Sequence, residues 1–174
     1  MTILYEYCNT GDTKNCLVYA QYWKAQTFTV GGTAHAIVSV KLKLTKTGSP
    51  TGTITCGIRA TNGTIPTGAH LTSGTISATS VTSGWYEISL TQYSLSASTK
   101  YAIVLSLSGG DSGNLINWRA DGNLYANGAM CYSTNSGSSW AEDSSTDNMF
   151  EVYGPDLIVI PTVTTQAATG IGLD

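Results

Sequence analysis

The stretch Val38-Ser39-Val40-Lys41-Leu42-Lys43-Leu44 alternates apolar and polar side chains without a break. Successive residues of an extended strand point to opposite faces. Val38, Val40, Leu42 and Leu44 therefore form an apolar face, and Ser39, Lys41 and Lys43 a wet one. The pattern returns downstream, and no stretch offers a convincing helix in its place. It predicts a half-buried antiparallel β protein.

Working outward, strands are predicted at residues 4–7, 26–30, 37–45, 52–60, 71–77, 85–90, 100–107, 115–119, 129–133, 149–153 and 157–160. Turn chemistry separates them: Gly31-Gly32, Gly48-Ser49-Pro50, Asn62-Gly63, Ser83-Gly84, Gly109-Gly110-Asp111, Asp121-Gly122-Asn123 and Asn127-Gly128. Many short strands spaced about ten residues apart predict an all-β, antiparallel β-sandwich of jelly-roll type. Residues 101–105 are nearly continuous apolar, so that strand is expected in mid-sheet. The domain is expected to span residues 1–154. A C-terminal extension, 155–174, holds Leu157, Ile158, Val159 and Ile160 between Pro155 and Pro161. That run reads either as a strand of the domain's own sheet or as a segment docking on a neighbouring subunit. Residues 162–174 read as a linker or as the opening of a further domain.

Charged residues are only 11% of the 174, and the formal net charge is −3. Thr, Ser, Asn and Gly must supply the polar surface, as is common outside cells and on particle exteriors. Lys41, Lys43 and Lys46 form the densest basic run, which argues against phosphate neutralisation and nucleic-acid binding. No apolar run approaches the ~20 residues of a bilayer span. Residues 1–6 lack a basic segment followed by an apolar one, so they do not read as a signal peptide. Synthesis in the cytosol followed by assembly, and excision from a longer exported protein, both fit.

The four cysteines are Cys8, Cys16, Cys56 and Cys131. Cys8 and Cys16 bracket a turn-rich stretch, and a local disulfide between them is expected to pin it. A Cys56–Cys131 bridge is a weaker expectation, since Cys56 shares a face with Ile54 and Ile58 as a small core residue would. Cys-x-x-Cys and Cys/His spacings are absent, which disfavours zinc.

Ser133-Thr134-Asn135-Ser136-Gly137-Ser138-Ser139-Trp140 resembles the Asp-box hairpin, with Asn135 in the aspartate place. The role of that motif is structural. A short polar side chain accepts turn N–H groups, a glycine takes positive φ, and a tryptophan folds back on the hairpin. Glycoside hydrolysis needs two carboxylates flanking one bond. Asp111, Asp121, Glu142, Asp143, Asp147 and Glu151 show no such pairing and read as turn caps. His35 and His70 look isolated in turn regions. The chain is therefore expected not to be an enzyme. Calcium is a minor possibility, with Asn9 and Asp12 approaching Glu151 or Asp147; otherwise no cofactor is expected. Aromatic residues are the best binding candidates. Trp85 shares the outward face with Glu87 and Ser89, and with Tyr125 it could stack on a sugar ring. Trp118 matches the parity of Ile116 and is expected buried.

Several stretches taken together carry a family resemblance. They are Tyr5-Glu6-Tyr7-Cys8-Asn9-Thr10-Gly11-Asp12, Trp23-Lys24-Ala25-Gln26-Thr27-Phe28-Thr29, Ser39-Val40-Lys41-Leu42-Lys43-Leu44, Thr99-Lys100-Tyr101-Ala102-Ile103-Val104-Leu105, Tyr125-Ala126-Asn127-Gly128 and Met149-Phe150-Glu151-Val152-Tyr153-Gly154. The chain resembles, over about residues 5–154, a β-sandwich domain of bacteriophage virion proteins and choice-of-anchor-type surface proteins. That family is similar in build to carbohydrate-binding jelly rolls. The resemblance implies a structural or adhesive module on a virion surface or outside the cell, in a capsid decoration or tail fibre. Its partners would be other subunits of the assembly, including further copies of itself. A glycan-binding domain is the alternative.

Overall fold

In a computed structural model, which describes residues 1–156, the chain forms thirteen strands and one short 3-10 turn, Ala78–Ser80. The strands are β1 (Thr2–Cys8), β2 (Lys14–Val18), β3 (Trp23–Thr29), β4 (His35–Thr47), β5 (Thr53–Thr61), β6 (Pro66–Ser77), β7 (Ser83–Leu95), β8 (Lys100–Leu107), β9 (Leu115–Asp121), β10 (Met130–Ser133), β11 (Ala141–Asp143), β12 (Asp147–Asn148) and β13 (Phe150–Pro155). Two antiparallel sheets pack face to face, so the protein is a β-sandwich. Among the described residues no helix is long and apolar enough to cross a membrane.

One sheet has seven strands, along the path β1-β13-β4-β9-β12 with β2 on β9 and β7 on β4. The other has six, in the order β11-β10-β3-β8-β5-β6. Only β5–β6 and β10–β11 are consecutive strands that hydrogen-bond to each other. Most connections therefore pass between sheets rather than closing hairpins. The core lies between the sheets and includes Phe28, Leu42, Ile58, Ile103, Trp118 and Phe150, all fully buried. The near-continuous apolar run of β8 sits in mid-sheet between β3 and β5, as its pattern predicts.

The opening alternation is the spine of the seven-stranded sheet. β4 pairs with β7 along one edge and with β13 and then β9 along the other. Val40, Leu42 and Leu44 face the core as predicted. A bulge between Ile37 and Ser39 breaks the parity just before them. Ile37 turns inward, and Val38 is left only partly buried. Trp118 is buried and donates its indole N–H to the Met149 carbonyl at 2.8 Å. The last strand runs through Pro155, which pairs with Thr2. The run Leu157 to Ile160, expected as a docking segment, lies outside the described residues.

The disulfide expectation is overturned: all four cysteines are free and buried. The stretch read as turn-rich, residues 9–15, gives way at Lys14 to β2. Cys8 sits opposite Phe150 on β13, whereas Cys16 sits opposite Trp118 on β9. β1 and β2 thus lean on different partners and do not pair with each other. Cys56 and Cys131 lie on strands separated by β8 and β3, roughly 14 Å at the usual strand spacing. They also belong to different apolar clusters on opposite faces of the sheet. Both facts forbid a bridge. Burial pushes the thiols up, Cys8 and Cys16 to about 11 and Cys131 to about 12, so thiolate is scarce near neutrality. Iodoacetamide at pH 8 is expected to leave the native protein unlabelled and to add four groups after denaturation without reductant. A denatured, unreduced chain taking only two would restore a disulfide.

Candidate binding groove

The two sheets differ on their outer faces. On the seven-stranded sheet the charges are matched internally. Lys43 Nζ reaches Asp12 at 2.6 Å, and Arg119 also binds the Asp12 carboxylate. Burial alone would push Asp12 up, but hydrogen bonds from Lys43 and Arg119, and their charges, hold it below the usual carboxylate range. Lys41 pairs loosely with Glu87 and lies 4.7 Å over the Tyr153 ring. Ser39 donates to Glu87, and both Asn9 and Tyr153 donate to Glu151. Asn9 and Glu151 do meet, but Asp12 is committed to two cations. Among the described residues no group of three or more His, Cys, Asp or Glu side chains could hold a metal ion. The loop acids cap turns: Asp111 accepts from Gly113, Asp121 from Asp12, Thr13 and Gly122, and Asp143 from Ser145. Asp147 is the exception, being buried.

The outer face of the six-stranded sheet is built differently. Outward residues on its central strands are small. Cys131, Ala25, Val104 and Gly57 stand in register across β10, β3, β8 and β5, with Ala102 one pleat away. Small residues leave room for large ones to lie flat on the sheet. Trp23, Ile65 and Trp140 do so and form a second apolar cluster with Ala25, Ala102, Val104 and Cys131. Gly57 is required here, because a Cβ would overlap the His70 ring.

Two hairpins rise around this cluster. The β10–β11 hairpin is the Asp-box-like motif, and its turn is held as the sequence predicts. Asn135 Oδ1 accepts from Ser139 N at 2.9 Å, Ser133 Oγ accepts from Gly137 N at 2.9 Å, and Gly137 has φ of +79°. The β5–β6 hairpin turn is closed by Asn62, whose side chain accepts from Thr64 N and Ile65 N. Between the two lies a groove of about 400 Å³, lined by Arg59, Ile65, Pro66, Thr67, Gly137–Trp140 and their neighbours. The Arg59 guanidinium lies over Trp23, 5.7 Å from the ring centroid, a cation–π contact. Arg59 Nε, Trp140 Nε1 and His70 Nδ1 are buried without hydrogen-bond partners. Native proteins seldom leave such groups without a partner, so three of them on one face make it a candidate for contact with another molecule.

Among the described residues two other hollows stand out. One, about 580 Å³, lies beside Tyr5, Glu6 and His35. There the polar groups satisfy each other, Glu6 and His35 meeting at 3.0 Å. The other, about 300 Å³, lies beside Tyr19, Tyr22 and Lys24, where Lys24 sits over Tyr132. Neither carries a cluster of unpartnered donors.

Of the sugar-stacking candidates, Trp85 is exposed on β7 opposite Lys43, while Tyr125 packs edge-on against Phe150, 5.2 Å between centroids. The two stand on different surfaces and form no joint platform. Sequence reading missed Arg59. Its signal was the parity of Ile54, Cys56 and Ile58, which puts Gly57 and Arg59 on the opposite face. No protein-family model and no curated protein matches this chain.

Proposed function

We propose that this chain is a non-catalytic surface module, a structural and adhesive component of a phage virion such as a capsid decoration or tail-fibre protein. The contrast between its two outer faces supports the reading. One face satisfies its own charges and suits contact with water. The other carries a groove beside an arginine that has no ion-pair partner among the described residues, and it suits contact with a partner. The scaffold beneath is held by long-range strand pairing, which keeps both faces fixed relative to each other.

The test is location. Cryo-electron microscopy of native particles, with antibody fragments against the chain as markers, is expected to place it in a regular lattice or fibre on the outside. Antibody found only away from particles would overturn the reading. A glycan-binding domain of an extracellular surface protein is the second reading, favoured by the same groove.

A further inference from the structure

The chain has two arginines, Arg59 and Arg119. Arg119 is spent on Asp12 and Asn15. Arg59 has no carboxylate within ion-pair reach among the described residues, although it is half-buried. Burial pulls it below the ordinary guanidinium range, a cost that an anionic partner would offset. Burial and the Arg59 charge likewise push His70 down, so at neutral pH Arg59 rather than His70 carries the charge there.

We propose that the groove between the β5–β6 and β10–β11 hairpins binds a carboxylate-bearing saccharide. Arg59 receives the carboxylate, and the Trp140 ring packs against a C–H face of the sugar. This rests on the surface-module reading and names what that surface recognises. Guanidinium nitrogens can only donate, so the ligand must bring acceptors. The guanidinium fork matches a carboxylate in two parallel hydrogen bonds, and the Trp23 ring below it favours the cation there. Ile65, Pro66 and Trp140 offer apolar surface of the kind that sugar C–H faces cover, while Thr67, Ser138 and Ser139 bring hydroxyls. The volume suits a small ligand. An extended peptide would find hydrogen-bonding groups at the β6 edge rather than on this face.

Isothermal titration of the full chain tests the assignment with trigalacturonate and 3′-sialyllactose, against neutral trigalactose and a short peptide with a free C-terminal carboxylate. At least one acidic sugar is expected to bind, and trigalactose at least about tenfold more weakly, as loss of a charge-assisted contact implies. Arg59→Gln is expected to remove about the same factor, and Trp140→Phe a smaller one. Trp85→Ala should leave binding unchanged. Arg59→Lys keeps the charge but loses the fork, so it should also weaken binding, and it serves if Arg59→Gln does not fold. Binding of neither acidic sugar, equal binding of trigalactose, indifference to the Arg59 variants, or binding of the peptide alone would overturn the assignment. If binding fails while the chain still marks an external lattice or fibre, only the ligand is wrong and the surface-module reading stands.

Discussion

Asp147→Ala is expected to lower stability by roughly 4 kcal/mol, because three N–H donors, one of them fully buried, would lose their acceptor at once. Asp147 is about 1% exposed, on β12 in the seven-stranded sheet. Its carboxylate accepts from Gln26 Nε2 at 2.9 Å, Leu124 N at 2.9 Å and Tyr125 N at 2.8 Å. Gln26 belongs to β3 in the opposite sheet, and its own carbonyl accepts from Asn148 N at 2.7 Å. Asn148 then donates to the Ala25 carbonyl. The network thus ties the two sheets together and anchors the β9–β10 loop. Unsatisfied buried donors cost about 1–3 kcal/mol each, with relaxation reducing the sum. For a chain of this size the loss lowers the melting temperature by about 12 °C. Asp147→Asn keeps the shape but sets an amide NH2 against these donors. Gln26 would have to turn over and lose Asn148, so an intermediate cost of about 2 kcal/mol is expected. Urea unfolding followed by tryptophan fluorescence reads both values. An alanine variant within 1 kcal/mol of the parent would show that the network is not what joins the sheets.

The sandwich was legible because half-buried strands write their burial as a two-residue period. The stretch Val40–Leu44 shows it plainly, and so do Ile54, Cys56 and Ile58. Local turn chemistry was legible too: Asn135 and Gly137 do what an Asp-box-like turn asks of them. What could not be read depends on contacts between distant segments. Cys8 and Cys16 look like partners because they are close in sequence, yet their strands answer to β13 and β9. Asp147 looks like a loop acid until Gln26, 121 residues away, is seen to need it. The groove was half visible. Trp140 stood out as a hairpin anchor, but nothing local joined it to Trp23 or Arg59. Only the register across β10, β3, β8 and β5 shows that small residues pave the floor on which these side chains lie.

His35 shows the same limit and gives the second large effect. It reads as an isolated turn residue, yet it opens β4 and is buried against Glu6 on β1. Its two ring nitrogens both face acceptors, Nδ1 the Ala36 carbonyl at 3.1 Å and Nε2 the Glu6 carboxylate at 3.0 Å. A neutral imidazole can donate from only one nitrogen, so this geometry calls for the imidazolium. Burial alone would push His35 down. The hydrogen bond to Glu6, the Ala36 carbonyl and the Glu6 charge outweigh it and hold the ring above its ordinary value of 6.5. A folded value above the unfolded one means that protonation favours the folded state. The contribution is fully present below about pH 6.5 and is lost as pH rises through the higher folded value. Stability is therefore expected to fall on the alkaline side of neutrality. Tyr5 stacks on the His35 ring at 3.7 Å, and its hydroxyl donates to the Pro155 carbonyl, so the loss should loosen β1 from β13 first. Glu6→Ala leaves the histidine buried without its partner and should cost about 3 kcal/mol near pH 6. Glu6→Gln should cost less and flatten the pH profile. Urea unfolding between pH 5 and 9, with amide exchange of residues 3–7, measures both effects. A parent profile as flat as that of Glu6→Gln, or β1 amides that exchange no faster at pH 8.5 than intrinsic chemistry requires, would show that the pair does not hold this edge of the sandwich.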